Sequence, residues 1–249
     1  MKNISIKSEL TLDFLRNNVK SATSKTFDVV NGERVLKDYK LREYNLDGVR
    51  TCTKFYNNDG SIKLTQVSEI EPNGFKIGYV NYDKNNFFDS DGRYDLNSRG
   101  DILNKFFNEN LEESFKYDEK GRIIEQYYAY SRDRLIFTYE NSDFASEQTY
   151  FMNGQKKFII RYQNDSFGNI IKAETFSFPD MEKKHTQISV INDNGDEIEV
   201  FVELNDGEKI NWSTYSYDYD EKGNWITKVS THMKSNSKSI IEREITYYS

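Results

Sequence analysis

The sequence predicts an all-β protein: a mainly antiparallel, repeated β-hairpin meander forming an open β-sheet solenoid behind a short N-terminal helix cap. Three observations predict it. Asn-Gly, Asp-Gly and Lys-Gly corners recur along the chain, and such corners need the positive φ that Gly adopts without a steric penalty. The segments between them alternate apolar and polar residues or are rich in β-branched and aromatic ones, and only 2 Pro interrupt strand pairing. The stretch YDEKG occurs twice, at 117–121 and 219–223, each time ahead of Arg or Asn and an alternating run.

Residues 1–26 are read as the cap. SELTLDFLRNNVKSA at 8–22 places Leu10, Phe14, Leu15 and Val19 near helical spacing, with Ser8 or Thr11 as N-cap. Residues 27–249 are read as one continuous repeat domain. Its corners fall at Gly48, Gly60, Gly121, Gly168, Gly195, Gly207 and Gly223, with others at Gly32, Gly74, Gly92, Gly100 and Gly154. Many gaps between corners are 12 to 16 residues, and the longer gap from 121 to 154 is divided by a corner at 132–134. A second helical pattern, ILNKFFNENLEESFK at 102–116, marks a junction between blocks of corners. In TYSYDYDEKGNWITKV, Tyr215, Tyr217 and Tyr219 project to one face and Trp225 opens the return strand, so rings stack between hairpins. With 36% hydrophobic but 15% aromatic residues, the buried area comes from wide flat rings, which suits a thin sheet.

Composition narrows the function classes. A net charge of −7 opposes general nucleic-acid binding, which needs a basic stripe to displace counterions. No run of apolar residues is long enough to span a membrane as a helix. The lone Cys52 offers neither a disulfide nor a thiolate cluster, and it lies in a strand-like run. His185 and His232 share no ligand spacing, and DSDGRYD at 89–95 and NDNGDE at 192–197 fail the calcium-loop pattern. No nucleophile elbow or phosphate-cradling Gly loop is present. The expectation is a protein without enzymatic activity, metal or cofactor. It is cytoplasmic as written, or periplasmic or surface-located if a signal segment was removed.

YDEKGR at 117–122 and YDEKGN at 219–224 resemble the turn motif of Rhs/YD-repeat proteins, with weaker copies at 44–49, 56–61 and 162–169. EREITYY at 242–248 is similar to the close of small YD-like repeat proteins of Bacteroidetes. The resemblance implies a β-hairpin repeat sheet and supplies no catalytic residues.

One stretch is chemically uneven. Residues 193–221 carry ten acids and a single base, Lys209. Alternation in EIEVFVEL puts Glu197, Glu199, Phe201 and Glu203 on one face, and Asp206, Glu208 and Trp212 extend the surface along the next strand. The expected function is therefore a non-catalytic protein-binding module, in its specific form an immunity-type protein that neutralises a basic toxin. The alternative is a surface or periplasmic glycan-binding module using Trp212, Tyr215 and Trp225 as stacking rings.

Overall fold

A computed structural model describes residues 13, 15–72, 74–140 and 143–249. They contain eighteen strands, paired antiparallel, and no helix. No helix among the described residues is long and apolar enough to cross a membrane.

The described chain divides into two compact units. One unit comprises Leu103–Lys105 and Leu111–Thr214. It holds β8 (Asn110–Tyr117), β9 (Ile123–Tyr128), β10 (Asp133–Thr138), β11 (Glu147–Met152), β12 (Gln155–Asn164), β13 (Ile170–Ser177), β14 (Lys183–Ile191), β15 (Glu197–Leu204) and the start of β16 (Lys209–Tyr219). Each strand pairs with the next in sequence. Its buried apolar residues include Phe115, Ile123, Leu135, Phe137, Ile159 and Val200.

The other unit takes in the described part of Ser5–Ile102, Phe106–Asn110 and Tyr215–Ser249. It holds β1 (Val19–Val30), β2 (Glu33–Tyr44), β3 (Arg50–Tyr56), β4 (Ile62–Ile70), β5 (Lys76–Asp83), β6 (Phe88–Leu96), most of β7 (Ile102–Phe107), β17 (Trp225–His232) and β18 (Ser237–Tyr247). The expectation of an open solenoid fails at β1. That strand, the free edge of an open array, is paired on both sides: Ala22 stands opposite Arg42 of β2 and opposite Ile245 of β18. A strand so placed satisfies both rows of its backbone donors and acceptors.

The repeated corner is real. At 118–122 the N–H of Asp118 donates to the carbonyl of Arg122 at 3.0 Å, and that of Gly121 donates to the carbonyl of Asp118 at 3.0 Å. At 220–224 the same bonds, Asp220 to Asn224 and Gly223 to Asp220, measure 2.9 and 3.0 Å. Both glycines have positive φ, 81° and 76°. In each case the first Asp also accepts the N–H of the fifth residue at 2.9 Å. The corner recurs with Gly48, Gly60, Gly168 and Gly195 at the fourth place, and with Asn86 (φ 65°) substituting at 83–87. Its first residue falls at 45, 57, 71, 83 and 97, so in this stretch the corner recurs with every strand. Arg132 (φ 57°) supplies the Gly-free corner.

Three expectations are corrected. Gly92 lies inside β6, where a Cβ would meet the Tyr79 ring at 2.3 Å; the glycine makes room for a ring and turns nothing. The helical pattern at 102–116 is β7 and β8, because Asn108 and Glu109 both take positive φ (46° and 66°) and close a tight hairpin. The cap fails in its described part: Asn17 has φ 65°, β1 starts at Val19, and Leu15, Val19, Ala22 and Tyr44 form an apolar cluster with Ile245 and Tyr247. Residues 1–12 and 14 of that prediction lie outside the described residues.

Two polar features hold this second unit. A row crosses five strands on one face: Arg42, Thr53, Gln66, Asn81 and Ser90 stand opposite one another in turn. Gln66 Nε2 donates to Asn81 Oδ1 at 3.2 Å, and Asn81 Nδ2 donates to Ser90 Oγ at 2.9 Å. Near the start of β1, the buried Asp13 carboxylate accepts the Tyr44 hydroxyl and faces Arg42 Nε at 3.3 Å and Arg50 Nη1 at 3.7 Å. Arg243 Nη2 donates to the Asp13 carbonyl at 3.0 Å, and its guanidinium carbon lies 3.2 Å from the centroid of Trp225. Burial first, then the Asp13 charge, pushes the Tyr44 phenol far above its usual range.

Candidate functional site

The acidic stretch forms the β15–β16 hairpin. In β15, Glu199, Phe201 and Glu203 share one face, since Phe201 stands opposite Ile188 and Glu203 opposite Thr186. Glu197 does not join them. A β-bulge between Val190 and Ile191 inserts one residue into β15, so that Glu197 pairs with Ile191 and Glu199 with Val190. One extra residue reverses the side-chain alternation, and Glu197 lines the opposite face with Ser189 and Gln187.

On the Glu203 face, charges alternate across the strands. Glu147 stands opposite Arg161, Arg161 opposite Glu174, Glu174 opposite Thr186, Thr186 opposite Glu203 and Glu203 opposite Lys209. Arg161 Nε reaches Glu147 at 3.1 Å, and Glu174 receives Lys172 at 3.2 Å and Lys183 at 3.8 Å. Such exposed pairs stabilise a sheet by only about 0.2–1 kcal/mol each, but they fix register. Thr186 is 1% exposed beneath the flanking glutamates. Lys209 Nζ sits 4.1 Å from the centroid of Phe201, so the one base of the stretch covers the ring at its middle.

The acid surplus outlasts this compensation. Residues 197–214 carry Glu197, Glu199, Glu203, Asp206 and Glu208 against Lys209. Asp206 and Glu208 are exposed at the hairpin tip, where Asp206 Oδ1 accepts the Glu208 N–H at 3.0 Å. Trp212 lies at a second bulge, in β16, and is 37% exposed.

The face reached by Glu197 contains a hollow of about 370 Å³, lined by Ile160, Tyr162, Thr175, His185, Gln187 and Glu197 among others. Burial pushes the Tyr162 phenol up to about 12, and its hydroxyl donates to Gln148 Oε1 at 2.8 Å. Sequence reasoning missed this hollow, because its residues come from four strands whose registers are set by bulges. The bulge at 198 is the feature that shows Glu197 belongs to it.

The proposed stacking rings fare unevenly. Trp225 is buried beneath Arg243 and meets Tyr217 edge-on at 6.3 Å, with Tyr219 6.0 Å from Tyr217. Lys228 Nζ covers Tyr215 at 4.6 Å. These rings pack hairpins together, as the alternation predicts, and Trp225 is closed to a sugar. DSDGRYD at 89–95 lies in strand β6, and 192–196 is a hairpin corner.

No family model and no curated protein matches this chain. Among solved structures, a porin-like protein from Bacteroides uniformis aligns over 92% of this chain and 98% of its own, at 12% identity and a TM-score of 0.47. A porin-like protein from Bacteroides vulgatus aligns over 94% and 99%, at 12% identity and 0.42. A DUF1329 family protein from Desulfovibrio piger aligns over 99% and 94%, at 9% identity and 0.28. Similarity at these scores transfers no function to this chain.

Proposed function

We propose that this chain is a non-catalytic protein-binding module that meets a basic partner through the β15–β16 hairpin. The observation that carries the reading is the common face of Glu199, Phe201 and Glu203, continued by the exposed acids Asp206 and Glu208 at the tip. Opposed charge speeds encounter and sets register. An immunity-type protein neutralising a basic toxin is the specific form of this reading. The YD-type corners at 118–122 and 220–224 support a repeat scaffold that carries this hairpin.

The test is capture from a native lysate by wild type and by a Glu199→Lys/Glu203→Lys variant, with circular dichroism confirming that both are folded. A basic protein retained by wild type, released by moderate salt and lost to the variant is expected. Equal recovery by the two proteins overturns the reading. A second reading, glycan binding, is favoured by the hollow beside Tyr162, where an apolar floor meets hydroxyl, amide and carboxylate groups. A glycan screen with wild type and Tyr162→Ala decides it: a retained sugar lost in the variant supports it, and silence with every sugar removes it.

A further inference from the structure

Phe201 is flanked along β15 by Glu199 and Glu203 on the same face. Among the described residues, neither carboxylate has an ion-pair partner. Lys209 stands opposite Glu203 and rests its Nζ over the Phe201 ring. Two polar atoms beside this ring lack partners. Asn211 stands opposite Phe201, and its Oδ1 is buried with no hydrogen bond. Thr186 stands opposite Glu203, is 1% exposed, and has an unpartnered Oγ1. On the far side of Thr186, Glu174 already receives Lys172 and Lys183 at 3.2 and 3.8 Å. Glu203 is therefore the open carboxylate of that row. An acceptor buried without a donor costs stability, so Asn211 Oδ1 marks a place where an incoming N–H would complete the structure.

The same unit shows the completed arrangement twice. Arg161 lies 5.0 Å from the centroid of Phe176 while its Nε reaches Glu147 at 3.1 Å. Arg122 lies 4.2 Å from the centroid of Tyr139 while its Nη2 reaches Asp118 at 2.6 Å. In each, one guanidinium covers a ring and also donates to a carboxylate. Lys209 covers Phe201 and makes no ion pair. Among the described residues, no three His, Cys, Asp or Glu side chains converge as a metal site would need, which favours an organic cation here.

We propose that the Phe201 site receives an arginine side chain of the basic partner, which displaces Lys209 from the ring. The inference rests on the acidic-hairpin reading and names the group that the hairpin takes. Residues directly opposite on neighbouring strands lie about 5 Å apart and diagonal ones about 7–8 Å, so Asn211, Glu203 and Thr186 all border the ring. Every one of them offers an oxygen. A guanidinium carries five N–H donors in a planar fork that stacks on a ring and bonds at its edge, whereas an ammonium is a compact point charge. Lys209 is exposed, so it leaves the ring without stranding a buried charge. In the free protein it holds the place that the arginine takes.

The experiment is fluorescence anisotropy of dye-labelled hexa-arginine and hexa-lysine peptides titrated with the full chain. Hexa-arginine is expected to bind wild type about five-fold more tightly than hexa-lysine. Lys209→Met should tighten hexa-arginine binding by about three-fold more than Lys157→Met does; the latter removes the same charge from a side chain that bonds only to exposed Gln155. Phe201→Leu, its fold checked by circular dichroism, should bring the two peptides within about two-fold of each other. Should Phe201→Leu fail to fold, the exposed Lys209 variant still decides. Equal affinity of wild type for the two peptides, or no gain in Lys209→Met beyond that in Lys157→Met, overturns the arginine assignment and leaves the acidic-hairpin reading to its lysate test. Absence of binding by either peptide, or binding unchanged in Glu199→Lys/Glu203→Lys, overturns both.

Discussion

Replacing Asp13 by Ala tests what ties the start of β1 to its unit. The Asp13 side chain is 11% exposed, and the arginines facing its carboxylate, Arg42 and Arg50, are 17% and 25% exposed. Removing one partner of a buried ion pair costs about 3–5 kcal/mol, because the remaining charge stays desolvated. Arg50 stands back at 3.7 Å, so the lower end, about 3 kcal/mol, is expected. With a urea slope of about 2 kcal/mol per molar, the midpoint falls by about 1.5 M. Trp225 lies directly beneath Arg243, and its emission in a Trp212→Phe background reports this unit alone. Asp13→Asn keeps an acceptor for the Tyr44 hydroxyl and should lose about half as much. Adding Arg42→Met to Asp13→Ala should recover part of the loss, since the two sites share one interaction. A cost below about 1 kcal/mol for Asp13→Ala, or strict additivity of the pair, would refute this account.

Two further predictions use other features. Gly207→Ala and Gly168→Ala both force Ala into positive φ, which costs about 1–2 kcal/mol; nothing lies within 4 Å of a Cβ at 207, whereas one at 168 would meet the Phe144 ring at 2.1 Å. Urea midpoints should therefore fall clearly further for Gly168→Ala, and equal shifts would show that Phe144 yields freely. Burial holds the Tyr162 and Tyr247 phenols up at about 12, against about 10 in an unfolded chain. The folded state keeps these protons longer, so stability is intact below about pH 10 and falls as pH rises toward 12; tyrosinate absorbance should show a late step that shrinks in Tyr162→Phe, and an unchanged titration would count against burial as the cause.

What was legible in the sequence was local. The corners at 121 and 223 show because positive φ selects Gly, and a leading Asp that binds back to the fifth residue leaves a readable five-residue signature. The Tyr-rich strand 215–219 shows because alternation is written residue by residue. Bulges are not written that way: the residue added near 198 carries no composition of its own, yet it sends Glu197 to the far face. ILNKFFNENLEESFK matched helical spacing because a two-residue hairpin of Asn and Glu, without Gly, hides between two short apolar runs. Gly92 looked like its neighbours because sequence does not distinguish a glycine that turns the chain from one that yields space to Tyr79. The Asp13 cluster and the β1–β18 ladder join residues more than two hundred positions apart, and nothing in either segment names its partner.

That ladder governs the order in which the molecule is made. Val19 stands opposite Tyr247, and the Tyr248 N–H donates to the Asn18 carbonyl at 2.9 Å, so β1 waits for its second neighbour until more than two hundred further residues have been made. Adjacent hairpins zip early, as short loops close cheaply, while one side of β1 stays open to β18 of another copy in a crowded polysome. Joining Tyr248 to Asp13 through a flexible linker and cutting at the Asn153–Gly154 tip would keep the Asp13 and Leu15 contacts while making β1 and β18 neighbours in translation, and such a permutant should reach its native state with less aggregation at high expression.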